Sequence, residues 1–206
     1  MSSTRGGRRR LFGIDRSGPV PPQTRRGAPL RPWTLPNLVG YVRLAAIPVF
    51  LVLALGSDDG RYAPATLLYV AIAAGDYLDG LLARATGQYS RLGALLDPVV
   101  DRATVLAGVA VCWHFELLPR WALVALAVRE LITLVLAQLA LRRGVDIEVN
   151  WIGRIGVFCV FAGIGLSLIA GWWGITALFV FGVAIAYVAT AFYLRAGLGR
   201  RRRGRR

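Results

Sequence analysis

At 206 residues, 56% of them hydrophobic and with a mean hydropathy of +0.55, the chain is too apolar for an ordinary soluble domain of its length. Its net charge of +14 comes from arginine alone, since the sequence holds no lysine, and it does not titrate away. Basic tails attract nucleic acid in many proteins, but these arginine runs have no folded domain beside them; topology setting and attraction to anionic lipid headgroups are the expected role, and nucleic acid is set aside as a partner.

The first thirty residues, with Pro19, Pro21, Pro22 and repeated arginine, are predicted to be disordered. They lack the apolar core of a cleavable signal peptide. Six long apolar blocks follow, at about Leu38–Leu55, Ala63–Leu82, Leu92–Phe115, Trp121–Leu141, Ile152–Ala170 and Trp173–Leu194. A bilayer core of about 30 Å takes roughly 20 helical residues to cross, and lipid cannot hydrogen-bond an exposed backbone, so the blocks are predicted to be helices. The expected fold is therefore an all-α membrane protein with six transmembrane helices. Its expected parts are a basic cytoplasmic tail over 1–33, a six-helix domain over 34–195 and an Arg-rich cytoplasmic tail over 196–206.

Eight arginines precede residue 33 and seven lie from Arg195 onward. Six spans put both ends on one side, and the basic flanks mark that side as cytoplasmic in the cell membrane. The connections agree: Arg84 with Arg91 flank the second and Arg142 with Arg143 the fourth, whereas the odd-numbered connections are acidic, balanced or uncharged. Trp113, Trp121, Trp172 and Trp173 then fit an aromatic belt on the outer face, where His114 also falls. Cys112 and Cys159 sit inside spans as packing residues, with no disulfide framework implied.

Four of the eight aspartates fall between residues 76 and 101, where the second and third blocks meet. Asp76 and Asp79 are three apart and Asp97 and Asp101 four apart, so each pair shares one helix face. A chain reversal near Gly87-Gln88 brings Asp79 level with Asp97 and Asp76 level with Asp101. Four ionised carboxylates beside hydrocarbon repel one another and are costly. They stay partly protonated or they hold multivalent cations, and oxygen ligands favour magnesium, manganese or calcium. Two divalent ions would cancel the four charges and would suit an in-line displacement at phosphorus. Gly80 and Gly93 flank the acids. Close approach of a ligand or of backbone explains them, and so does packing of membrane helices through small residues, which also covers Ala83.

The run Asp76-x2-Asp79-Gly80-x2-Ala83-Arg84-x8-Gly93-x3-Asp97-x3-Asp101 resembles the signature of the CDP-alcohol phosphatidyltransferases at all eight fixed positions. The resemblance extends over about residues 35–195. It implies six transmembrane helices, a homodimer and a polar cavity open to the cytoplasm. It further implies two Mg2+ or Mn2+ ions on Asp76, Asp79, Asp97 and Asp101. Asp76, Asp79, Gly80, Ala83, Arg84, Gly93 and Asp97 would surround the CDP-lipid, and Asp101 would act as the catalytic base toward the acceptor hydroxyl.

Leu35-Pro36-Asn37-Leu38 with Arg43 and Pro48, and the run Ser90 to Pro98, are similar to the phosphatidylglycerophosphate and cardiolipin synthase branch. Arg129-Glu130 and Trp151-Ile152-Gly153-Arg154 resemble the phosphatidylglycerophosphate synthases, although Ile155, Gly156 and Val157 stand where that group carries a further basic residue. The expected reaction is transfer of a phosphatidyl group from CDP-diacylglycerol to sn-glycerol 3-phosphate, with phosphatidylglycerol as the alternative acceptor. Arg129 and Arg154 are the candidate acceptor-phosphate residues. On its helix Glu130 points about 100° away from Arg129, so it is not the expected partner, and Arg43 is expected to snorkel to the interface. A cation or proton transporter is the rival class, but such folds show inverted repeats or broken helices, and this sequence shows neither.

Overall fold

The computed structural model describes residues 31–142 and 151–203. The tail before residue 31 and the last three residues lie outside the described residues, as does Arg143 in the fourth connection. Among the described residues there are six α-helices and no strand: α1 (Leu35–Leu55), α2 (Ala63–Thr86), α3 (Arg91–His114), α4 (Arg120–Arg142), α5 (Trp151–Ser167) and α6 (Trp173–Arg203). Each apolar block forms one helix. α6 runs nine residues past its block through an arginine-rich stretch, consistent with the good helix propensity of arginine.

Among the described residues three segments are long and apolar enough to cross a bilayer: α1, α2 and Trp173–Phe192 of α6. α3 carries Arg91, Asp97, Asp101 and Arg102, and α5 has 17 residues. The chain is a multi-pass membrane protein.

The helix ends follow local chemistry. Thr34 caps α1, its hydroxyl accepting from the Asn37 amide at 3.4 Å. α2 stops at Thr86 because Gly87 takes a left-handed φ of 67°, which glycine adopts without steric penalty. Ser90 then caps α3, accepting from the Gly93 amide at 2.9 Å. The reversal therefore falls at the Gly87-Gln88 position expected from the sequence.

The helices divide into two compact units. The first comprises Met1–Leu53 and Pro64–Ala107, and its described part holds most of α1, α2 and α3. Phe50 and Tyr69 meet in its core with ring centroids 5.2 Å apart, beside buried Ile72 and Val100. The second unit, Ala54–Ala63 with Gly108–Arg206, holds the end of α3 and helices α4 to α6. α5 and α6 touch along a glycine seam. A Cβ on Gly182 would lie 2.8 Å from the Val160 amide nitrogen, and one on Gly163 would lie 2.9 Å from the Phe179 Cα. The Tyr187 hydroxyl donates to the Ala125 carbonyl at 2.8 Å, tying α6 to α4. Cys112 and Cys159 are both buried and unbridged, as their positions inside apolar blocks implied.

Candidate active site

The α2–α3 hairpin carries the acidic residues, and α1 completes the site. Asn37, buried near the start of α1, accepts a hydrogen bond from Ser90 Oγ at 2.7 Å while its amide donates to the carbonyls of Arg31 and Pro32. The Leu35 amide donates to Gln88 Oε1 at 3.1 Å. These bonds fix the first turn of α1 against the hairpin turn. They also explain Gly93, since a Cβ there would lie 2.7 Å from Asn37 Oδ1 and 3.1 Å from Ser90 Oγ. At Gly80 a Cβ would meet only the tip of the Arg84 guanidinium, at 3.2 Å. Of the two glycines, Gly93 is accounted for by a close-packed side chain, whereas the space beside Gly80 is bounded by a flexible one.

Arg43 occupies the centre. The sequence-based expectation was a side chain snorkelling to the interface; instead Arg43 is 4% exposed and turned inward. Its Nε donates to the Ile72 carbonyl at 2.9 Å, one terminal nitrogen to Asp79 Oδ2 at 2.9 Å, and the other to Asp101 Oδ1 at 2.9 Å. Asp76 Oδ1 stands 3.7 Å from the nitrogen that binds Asp79. The correction has a plain cause: snorkelling relieves an unpaired charge, whereas here two carboxylates and a carbonyl solvate the guanidinium within the helices. Gly75 makes room for the stem, because a Cβ there would fall 2.6 Å from Arg43 Cδ.

The four aspartates come together, though not equally. Asp79 is buried, with 7% of its side chain exposed, while the Asp76 and Asp101 side chains are 53% and 41% exposed. Asp97 is half-buried and within electrostatic range of the other three and of Arg43. The cluster thus runs from a buried end at Asp79 to an accessible end at Asp76. Ala83 and Arg84 lie half-buried on the next turn of α2. Arg102, adjacent to Asp101, donates to the Pro98 carbonyl at 2.9 Å.

The donor set fits a hard divalent cation in chemistry, being all carboxylate oxygen. Among the described residues no three His, Cys, Asp or Glu side chains are set closely enough to enclose an ion by themselves. Positive charge is instead held by the Arg43 fork, which takes Asp79 and Asp101 on separate nitrogens.

The sequence profile described as CDP-alcohol phosphatidyltransferase matches residues 33–193. The chain belongs to the CDP-alcohol phosphatidyltransferase family. It is 37% identical over 173 residues to a protein of Streptomyces coelicolor named cardiolipin synthase (CMP-forming), covering 80% of each chain. A putative cardiolipin synthase of Mycobacterium tuberculosis is 32% identical over 131 residues, covering 63% of this chain and 62% of that one. A probable phosphatidylglycerophosphate synthase of the same organism is 35% identical over 139 residues, 66% of each chain. This family member is therefore a membrane phosphatidyltransferase of phospholipid biosynthesis.

The candidate acceptor residues of this phosphatidyltransferase lie in the second unit. Arg129 is 7% exposed, and one of its terminal nitrogens binds Glu130 Oε1, the neighbour that helix geometry had not made the expected partner. The 100° between adjacent positions describes Cβ directions, and two long side chains can still converge from there. Arg129 Nε has no hydrogen-bond partner among the described residues. The Arg154 guanidinium lies 5.6 Å from the Trp151 ring centroid, within cation–π range. Sequence reasoning missed the roles of Arg43 in binding Asp79 and Asp101 and of Asn37 in binding Ser90. Gly75, placed immediately before Asp76, was the available signal for the first.

Proposed function

We propose that this enzyme moves the phosphatidyl group of CDP-diacylglycerol onto a primary hydroxyl of a phosphorylated glycerol, with sn-glycerol 3-phosphate as acceptor and phosphatidylglycerophosphate and CMP as products. The observation that carries the reading is the gathering of Asp76, Asp79 and Asp101, from two helices, around one cationic group within the family motif. Asp76, Asp79, Asp97 and Asp101 hold two Mg2+ or Mn2+ ions, which when bound neutralise the pyrophosphate and the departing phosphate. Asp76, Asp79, Gly80, Ala83, Arg84, Gly93 and Asp97 bind the nucleotide end of the CDP-lipid. The acceptor oxygen forms a bond to the β-phosphorus as the bond from that phosphorus to the bridging oxygen breaks, and CMP leaves with the electron pair. Asp101 takes the hydroxyl proton. A carboxylate among cations is a weak base, so the proton moves with or after attack.

Arg129 is the first candidate for the acceptor phosphate, supported by its buried Nε without a hydrogen-bond partner among the described residues, and Arg154 the second. The six apolar blocks support six membrane crossings and the arginine distribution supports both ends being cytoplasmic in the cell membrane, and a homodimer is expected from the family. Residues 34–195 form the catalytic domain between two basic tails. Phosphatidylglycerol as acceptor, giving cardiolipin, is the second reading. It is favoured by the name of the Streptomyces relative and by Gly156, whose backbone packs on α6 where a further basic residue would otherwise stand.

The test is CMP release by purified protein given CDP-diacylglycerol and each acceptor in turn. Turnover with glycerol 3-phosphate is the expected result. Turnover with phosphatidylglycerol alone moves the assignment to the second reading, and no release with either overturns phosphatidyl transfer to a glycerol acceptor.

A further inference from the structure

We infer that Arg43 is a positioning residue of the transfer reaction, holding Asp79 and Asp101 at a fixed separation and competing electrostatically with the divalent ions for their oxygens. The inference rests on the metal assignment proposed above and goes beyond it, because the signature contains no arginine at this position and the acids alone do not require one. Three independent observations carry it. All three guanidinium nitrogens are engaged at 2.9 Å, by Ile72, Asp79 and Asp101, so the group is locked in orientation. The stem passes over Gly75, where a Cβ would lie 2.6 Å from it, so the seat exists only because that position lacks a side chain. Finally, the two carboxylates it grips come from different helices of the hairpin, and a planar fork with fixed nitrogen spacing sets the distance between them in a way that a single-point cation cannot.

Charge gives the consequence. With Arg43 alone the four carboxylates keep a net negative charge, which draws in divalent ions. With two ions added, Arg43 leaves the loaded site net positive, the sign that an anionic pyrophosphate substrate requires. The guanidinium therefore weakens ion binding while favouring the substrate, and it holds the two acids together against their mutual repulsion before the ions arrive.

Full-length protein in detergent is freed of metal with a chelator and titrated with Mn2+, free ion being followed by electron paramagnetic resonance, alongside thermal unfolding with and without Mn2+. The unaltered protein, Arg43→Met, Arg43→Gln and Arg43→Lys are compared. Loss of the charge in Arg43→Met or Arg43→Gln is expected to tighten Mn2+ binding by about fivefold or more. It also lowers the unfolding temperature without metal and enlarges the Mn2+-induced rise. Arg43→Lys, which keeps the charge without the fork, holds Mn2+ affinity within about twofold of the unaltered protein while kcat still falls at saturating Mn2+. Simple structural damage loosens metal binding, so tightening separates the two explanations. Either neutral variant that folds decides the matter. Unchanged or weaker Mn2+ affinity in a folded neutral variant overturns the inference, and so does a lysine variant that tightens as much as methionine. Failure of the unaltered protein to bind Mn2+ overturns the metal assignment itself.

Discussion

Arg43 in α1 and Arg129 in α4 are both buried arginines in apolar helices, and they meet the cost of burial in different ways. Arg43 is answered by acids 36 and 58 positions away and by a backbone carbonyl of α2. Arg129 is answered by the next residue of its own helix. A cation balanced within one helix makes a self-contained pair, and altering it disturbs little else. A cation balanced across three helices sets the geometry of all three. In this enzyme the pairing across three helices accompanies the aspartate cluster, and the pairing within one helix leaves the buried Nε of Arg129 without a hydrogen-bond partner among the described residues.

The contrast can be broken or sharpened by experiment. Chelation of divalent ions is expected to abolish CMP release, with Mg2+ or Mn2+ restoring it and Ca2+ or Zn2+ restoring less; this is the largest effect, and it concerns only the first unit. Asp79→Asn or Asp97→Asn should lower kcat for CMP release by on the order of a thousandfold. Glu130→Gln, which removes the local partner of Arg129, should change it by less than about threefold under the same assay. Comparable losses from Glu130→Gln and Asp79→Asn would erase the distinction between the two arginines.

A smaller effect separates the two glycines beside the acids. Gly93→Ala drives a methyl into Asn37 and Ser90 and should destabilise the folded protein by about 1–3 kcal/mol, seen as a lower unfolding temperature. Gly80→Ala meets only the Arg84 tip, so its unfolding temperature should hold while KM for CDP-diacylglycerol rises. Arg129→Met is expected to raise KM for glycerol 3-phosphate by about tenfold, the value of one charged hydrogen bond, with kcat little changed. An unchanged KM for every acceptor removes Arg129 from the acceptor site.

Much of this was legible in the sequence because the governing patterns are local. Helix length against bilayer thickness located all six helices, and carboxylates at spacings of three and four within one hairpin located the acidic cluster. Gly87 marked the turn because its left-handed backbone leaves glycine the natural occupant. What escaped depended on distance along the chain or on side-chain reach. Arg43 meets Asp101 across 58 positions, and a lone arginine in an apolar block reads as snorkelling until its partners are seen. Asn37 meets Ser90 across 53 positions, so the reason for Gly93 was hidden with it. Glu130 was misjudged because an angular rule for Cβ atoms says little about where two long, flexible side chains end.

The seam between α5 and α6 bears on how a two-tailed substrate reaches such an enzyme. At Gly156, Gly163 and Gly182 the two backbones leave no width for even one methyl group. An acyl chain is far broader than that. These two helices therefore behave as a single closed pair that an acyl chain cannot enter, and bulky substitutions in the seam should wedge them apart.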